Sequence, residues 1–234
     1  MIVLWLVACV STERIAEEHD AAAFAAGDAL GAAVIAAELL SHADDAPDDD
    51  ETLRHSGVCG CPCTSRVGAV DSYVVELDYE QPSCLPWSGL LPTDIGGHVW
   101  LDVDRGSVGV SRSEASVGGA DLELDVDGSW QGTPTAWSAT VSGPVVAGSL
   151  DTTLDGLTLT REGDGLSLQG RAAGGSLEGV VWSEAPAASR CPSPQQGSFV
   201  TDEATVTFEG GGAVVEWRGH TASYTACEIA PGVF

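Results

Sequence analysis

Tyr73-Val74-Val75-Glu76-Leu77-Asp78-Tyr79-Glu80 is the stretch on which the fold class turns. Tyr73, Val75, Leu77 and Tyr79 fall on one side of an extended chain, and Glu76, Asp78 and Glu80 on the other. A period of two is the mark of a strand with one buried and one wet face. The same alternation returns downstream. Val99, Leu101 and Val103 are interleaved with Asp102 and Asp104, and Leu122, Leu124 and Val126 with Glu123, Asp125 and Asp127.

Glycine-bearing turns punctuate these runs at Asp104-Arg105-Gly106, Asp127-Gly128, Asp164-Gly165 and Gly210-Gly211-Gly212. Two hairpins follow from them. Leu157 and Leu159 are expected to face Leu166 and Leu168, and Val206 and Phe208 to face Val215 and Trp217. Strands every ten or so residues predict an all-β domain over 58–234, an antiparallel β-sandwich or barrel of about ten strands. No strict repeat period is visible, which leaves a solenoid as runner-up. No helical pattern of useful length follows residue 58, which argues against α/β enzyme folds.

Upstream of residue 58 the composition changes twice. Residues 10–42 read as an alanine-rich helix capped by Ser11 or Thr12, with Glu13, Glu17 and Glu18 in the early turns where they suit the helix dipole. Asp28 and Glu38 interrupt its apolar part and make it a poor transmembrane span. It is expected to serve as a stalk or to pack on the domain. Residues 43–57 read as an acidic linker. Six of the eight residues from Asp44 to Glu51 are acidic, and such a run repels itself and stays extended. The expectation is a spacer that holds the β domain away from a membrane.

That membrane enters through the cysteines, of which there are seven. Cys9 follows Leu6-Val7-Ala8 and an apolar run from Met1 to Trp5. Leu-Val-Ala-Cys resembles the lipobox of bacterial lipoproteins, a resemblance confined to residues 1–9. It implies cleavage before Cys9, a diacylglycerol on the cysteine sulfur, and a protein exported and lipid-anchored to the cell envelope or cell surface. Only eight residues precede Cys9 and none is basic. The expectation is therefore a truncated signal whose basic part lies upstream of Met1.

Without Cys9 the remaining six, Cys59, Cys61, Cys63, Cys84, Cys191 and Cys227, are compatible with three disulfides and 15 connectivities. Cysteines two apart rarely meet the geometry of a disulfide. If no bond forms inside Cys59-Gly60-Cys61-Pro62-Cys63, each of its cysteines pairs with Cys84, Cys191 or Cys227. A Cys59–Cys63 bond is the alternative and frees Cys191 to pair with Cys227. The rival reading is a metal on the Cys-x-Cys-x-Cys run with His55, but zinc sites space cysteines more widely and no second pair exists. A soft copper(I) site is the remaining metal reading.

Charge excludes a class of partners. There are 35 acidic residues, nine basic ones (all arginine) and a formal net charge of −26. Such a chain repels nucleic-acid phosphates and anionic lipid surfaces. Catalytic signatures are missing: no Gly-x-Ser-x-Gly elbow, Walker loop, Gly-x-Gly-x-x-Gly or His-Glu-x-x-His occurs. Only His98 and His220 fall in the β domain as candidate bases or ligands, and a glycosidase needs no more than two placed carboxylates.

The best cation-like string is Glu123-x-Asp125-x-Asp127-Gly128, similar to the first half of an EF-hand loop. Position twelve of that loop is Pro134, however, and alternating acids are also the wet face of a strand. A calcium site outside the EF-hand type would draw on Asp102, Asp104, Asp125 and Asp127. Trp100 falls on the polar side of its strand, where an aromatic ring can stack on a sugar, whereas Trp137 and Trp182 read as core. The expectation is an envelope lipoprotein whose β domain is a structural or interaction module. A carbohydrate- or calcium-binding sandwich and a carboxylate-based hydrolase are the alternatives.

Overall fold

The computed structural model describes residues 12–45, 59–81, 84, 95–133, 135–183 and 194–229. One long helix, α1 (Thr12–Leu40), precedes fourteen strands and a closing turn of helix, α2 (Ala226–Ile229). The strands are β1 (Cys63–Ala69), β2 (Ser72–Asp78), β3 (Ile95–Asp104), β4 (Ser107–Val117), β5 (Ala120–Leu124), β6 (Asp127–Thr133) and β7 (Ala136–Ala147). They continue as β8 (Leu150–Glu162), β9 (Gly165–Ala172), β10 (Gly175–Trp182), β11 (Gln196–Val200), β12 (Ala204–Glu209), β13 (Gly212–Trp217) and β14 (His220–Thr225).

All fourteen join one antiparallel sheet in which sequence neighbours are spatial neighbours, except that β5 and β6 both pair with β4 and with β7. The expectation of about ten antiparallel strands is thereby corrected to fourteen, all in a single sheet. Part of the excess comes from Leu122–Asp127. Its unbroken alternation reads as one strand but is split at Asp125-Val126 into β5 and β6. Asp127-Gly128, expected as a turn, opens β6.

Local chemistry explains the meander. In the β3–β4, β9–β10 and β13–β14 hairpins the turn is Arg105-Gly106, Ala173-Gly174 or Arg218-Gly219, with φ positive at both residues. That is the two-residue turn whose twist matches the strands it joins. Both expected hairpins form: Leu159 pairs with Leu168, and Val206 with Val215.

One face of the sheet carries the core, with Val75, Leu77, Val99, Leu101, Leu157, Leu159, Val206 and Val215 fully buried. What they pack on is α1. The helix touches β7–β10 and β12–β14, and Ala26, Ala29, Ala32, Ala33, Val34, Ile35 and Ala37 are all buried. A helix apolar around most of its girth belongs inside a core, and alanine lets strands approach its backbone closely. The helix, expected as a stalk or as packing on the domain, packs at the centre of the β body. Of the stretch expected as an acidic linker, residues 46–57 lie outside the described residues.

A helix is about 10–12 Å across, whereas eight strands from β7 to β14 at about 4.8 Å spacing span roughly 34 Å. The sheet must therefore curl. Register shifts mark where it does: at Val141/Gly143 between β7 and β8, Asp155/Thr158 between β8 and β9, Leu177/Val180 between β9 and β10, and Glu178/Val181 between β10 and β11. These shifts are neighbours in space. The Gly156 N–H donates to Ser142 Oγ at 2.9 Å, and the backbone of Gly170 abuts Gly156 while that of Gly197 abuts Val180. Bulges bend a strand and raise its twist, and a row of them forms a crease. Gly143, at φ 138°, lies so close to the Asp125 carbonyl that a side chain has no room.

Two disulfides close the start of the sheet, Cys59–Cys63 with Cα atoms 5.5 Å apart and Cys61–Cys84 with Cα atoms 4.8 Å apart. Of the two arrangements the sequence left open, the one with a Cys59–Cys63 bond is the one that forms, and only Cys61 of the cluster bonds outward, to Cys84. The geometric bar applies to cysteines two apart, and a turn through Gly60 and Pro62 brings those four apart within reach. Cys227 is also disulfide-bonded. Cys9, His55 and Cys191 lie outside the described residues. With Cys59, Cys61 and Cys63 all oxidised, the run holds no thiolate for zinc or copper.

In the chain-entropy description, a bond across a separation of 23 residues contributes about 3.5 kcal/mol and one across four residues about 2 kcal/mol. Replacing Cys61 and Cys84 by alanine should therefore lower the urea midpoint more than replacing Cys59 and Cys63. Ala33→Leu, placed where α1 has no free volume, is expected to cost about 1–3 kcal/mol in the same unfolding experiment.

Candidate functional site

The four aspartates proposed for calcium are strand-end and outer-face residues. Asp102 on β3 lies opposite Gly109 on β4, and Gly109 lies opposite Asp127 on β6. The two acids thus share a row with a glycine between them, roughly 9–10 Å apart at the backbone. Asp104 pairs with Ser107 at the β3–β4 turn. Asp125 sits in the break between β5 and β6, its N–H donating to the Pro144 carbonyl at 3.3 Å. Among the described residues, no three of His, Cys, Asp and Glu converge as a metal-binding group.

Trp100 does occupy the outer face, where it is half-buried. Its ring is not bare. His98, two residues earlier on the same strand, stacks against it with centroids 5.7 Å apart and planes 18° off parallel. The Arg112 guanidinium, its register partner on β4, stands 4.8 Å from the ring centroid and also pairs with Glu114. His98 is itself flanked by carboxylates, Glu76 Oε1 at 3.3 Å and Glu80 Oε2 at 3.8 Å, and Ser65 Oγ donates to Glu76 at 2.9 Å.

Next to this cluster is an open depression of ≈ 640 Å³ whose charged lining is Glu80, Glu114, Asp121 and Glu123. The arrangement can polarise an imidazole and repel anions. Trp100 holds His98 by stacking and Arg112 by cation–π contact. Two smaller grooves flank the end of β8, sharing Thr160 and Glu162. Trp137 and Trp182 are core, as expected. His220 contributes only its carbonyl here, accepting from His19 Nε2–H at 3.1 Å.

A second constellation escaped sequence reasoning because it lies where a stalk and linker were expected. At the C-terminal end of α1, His42 Nδ1–H donates to Asp45 Oδ2 at 2.5 Å and Nε2–H to Glu38 Oε1 at 3.3 Å. Glu38 is 1% exposed. Both ring nitrogens face carboxylates, so both must be donors, and the ring is an imidazolium. Burial alone would lower the His42 pKa, but the hydrogen bonds to Asp45 and Glu38 outweigh it and push it up to about 9.

Tyr79 reaches the same carboxylate, its hydroxyl 3.5 Å from Glu38 Oε1, and burial followed by Glu38 holds that phenol well above its usual range. Tyr73 donates to the Ala43 carbonyl at 3.2 Å, and its ring lies under the Arg66 guanidinium, 3.4 Å from the centroid. The signal that could have found this network was the spacing Glu38, His42, Asp45, since residues four and three apart share a helix face. Elsewhere on the helix, burial and then Asp151 raise the pKa of Asp28.

With the four aspartates dispersed, calcium at millimolar concentration is expected to shift the melting temperature by less than about 1 °C, since a cation stabilises only through a site it fills in the folded state. A calorimetric rise of several degrees would show that they gather.

No protein-family model matches the chain, and neither a curated protein nor a solved structure is detectably similar to it.

Proposed function

We propose that this chain is a lipid-anchored envelope protein whose β body is a structural or interaction module. The observation that carries the reading is the position of α1. It begins at Thr12, three residues after the lipobox-like Cys9, and runs directly into the core. A lipid on Cys9 would thus be attached to the central helix of the body, which would seat that body against the membrane.

Two further features support it. Disulfides form and persist in oxidising compartments, and the bonded cysteines suggest an extracytoplasmic protein. The edge hairpin exposes Val67 at 73% and Val70 at 84%, two of the three large hydrophobic residues left in the open among those described. Exposed apolar residues at a sheet edge are the kind of surface a partner covers. The α1 helix is also long and apolar enough to cross a membrane, but it is mostly buried within the sheet, so its hydrophobicity is accounted for by the core.

Metabolic labelling with a fatty acid tests the anchor. The wild-type chain, expressed in a bacterial host, should incorporate label and sediment with membranes. Cys9→Ser should do neither. Equal labelling of the two would overturn the reading.

A further inference from the structure

The buried network at the end of α1 has no part in the anchor, and its geometry points to a role of its own. The end of the helix and the edge of the sheet meet there. From α1 and the turn after it come Glu38, His42, Asp44 and Asp45. From β2 come Tyr73 and the adjoining Tyr79, and from β1 comes Arg66, whose Nη1 is 3.8 Å from Asp44 Oδ1. These are the charged and titratable groups that face His42 from the elements packed around it. Three of them are carboxylates, and the cations are His42 and Arg66.

Glu38 is almost wholly enclosed, and an enclosed carboxylate must be paired and hydrogen-bonded. The imidazolium and the Tyr79 phenol meet that need together. The geometry points to a proton-operated latch: the His42 imidazolium clasps Glu38 and Asp45 together at the end of α1, which holds Glu38 against the Tyr79 hydroxyl and the turn against Tyr73 and Arg66, and this hold on the β1–β2 edge is released when the imidazolium loses its proton.

The direction follows from linkage. Folding raises the pKa of His42 from its ordinary 6.5 to about 9. The stabilisation is therefore complete below about pH 6.5 and is lost as pH rises through about 9. A neutral imidazole can donate from one nitrogen only, which withdraws its hydrogen bond from one of the two carboxylates and removes the charge that offsets both. The response is local because β7–β14 hold the rest of α1 through apolar packing that does not titrate. Opening would loosen the hairpin that carries Val67 and Val70.

Two measurements on the disulfide-bonded full chain test this. NMR titration should place the His42 ring near pH 9. Hydrogen exchange, corrected for intrinsic rate, should show protection at residues 39–45 and 73–79 falling on the order of a hundredfold between pH 7 and pH 10, while protection of Leu157–Leu168 is unchanged. His42→Gln should show the low local protection already at pH 7 and no further fall with pH. If that variant does not fold, Tyr79→Phe, which keeps the imidazolium, should lower protection at the helix end and preserve the pH-dependent fall. A His42 titration near 6.5 would overturn the proposal. So would a loss of protection that spreads evenly over the sheet, or a His42→Gln profile that follows the wild type.

Discussion

Everything in this fold answers to the burial of one alanine-rich helix. An isolated helix of this kind would leave its apolar girth in water, and a one-layer sheet would leave its apolar face in water. Neither is stable alone, and each is the other's solvent shield. Alanine matters because it sets the closeness of approach. Ala26, Ala29, Ala33 and Ala37 present almost no side chain, so the strands come near enough for Leu157, Leu159 and Val215 to fill the space between. Larger residues on the helix would push the sheet outward and demand a gentler curve.

The curve is produced by backbone rather than by side chains. The row of register shifts across β7–β11 bends consecutive strands at matching heights, and its glycines stand where the backbones come closest. Disulfides act at a different place. The Cys59–Cys63 and Cys61–Cys84 bonds close the entry to β1, on the edge farthest in strand order from β14, where Val67 and Val70 remain in solvent. The Glu38–His42–Asp45 network works at that same edge from the helix side. Polar and covalent devices thus gather where the hydrophobic contact between helix and sheet runs out.

Strands were legible wherever one face is wet. Tyr73 to Leu77, Val99 to Asp104 and the two hairpins at Leu159–Leu168 and Val206–Val215 follow directly from alternation and turn glycines. The joining of all strands into one sheet was not legible, because a one-layer meander and a two-layer sandwich bury the same alternate residues. What separates them is the second partner of the core, and that partner is the segment read either as a stalk or as packing on the domain. The helix itself was evident, but its environment was not, since a poor transmembrane span and a good core helix have the same composition. The break at Asp125-Val126 was hidden because it keeps the alternation of period two. At the candidate sites, Trp100 was correctly placed outside, yet its cover came from Arg112 on the next strand, which only the register reveals.

The order of the elements along the chain has a kinetic consequence. α1 emerges before any strand, but the strands it packs on most, β7–β10 and β12–β14, lie from about 100 to 200 residues downstream. Local helical structure can form within microseconds, whereas its native cover exists only after most of the chain has been delivered. Contacts this distant in sequence make for slow, late closure. Throughout that interval a helix long and apolar enough to cross a membrane is uncovered. Any bilayer it meets then competes with the sheet for it. Asp28 and Glu38, two charges that a bilayer would penalise and that the folded body tolerates, weight the outcome toward capture.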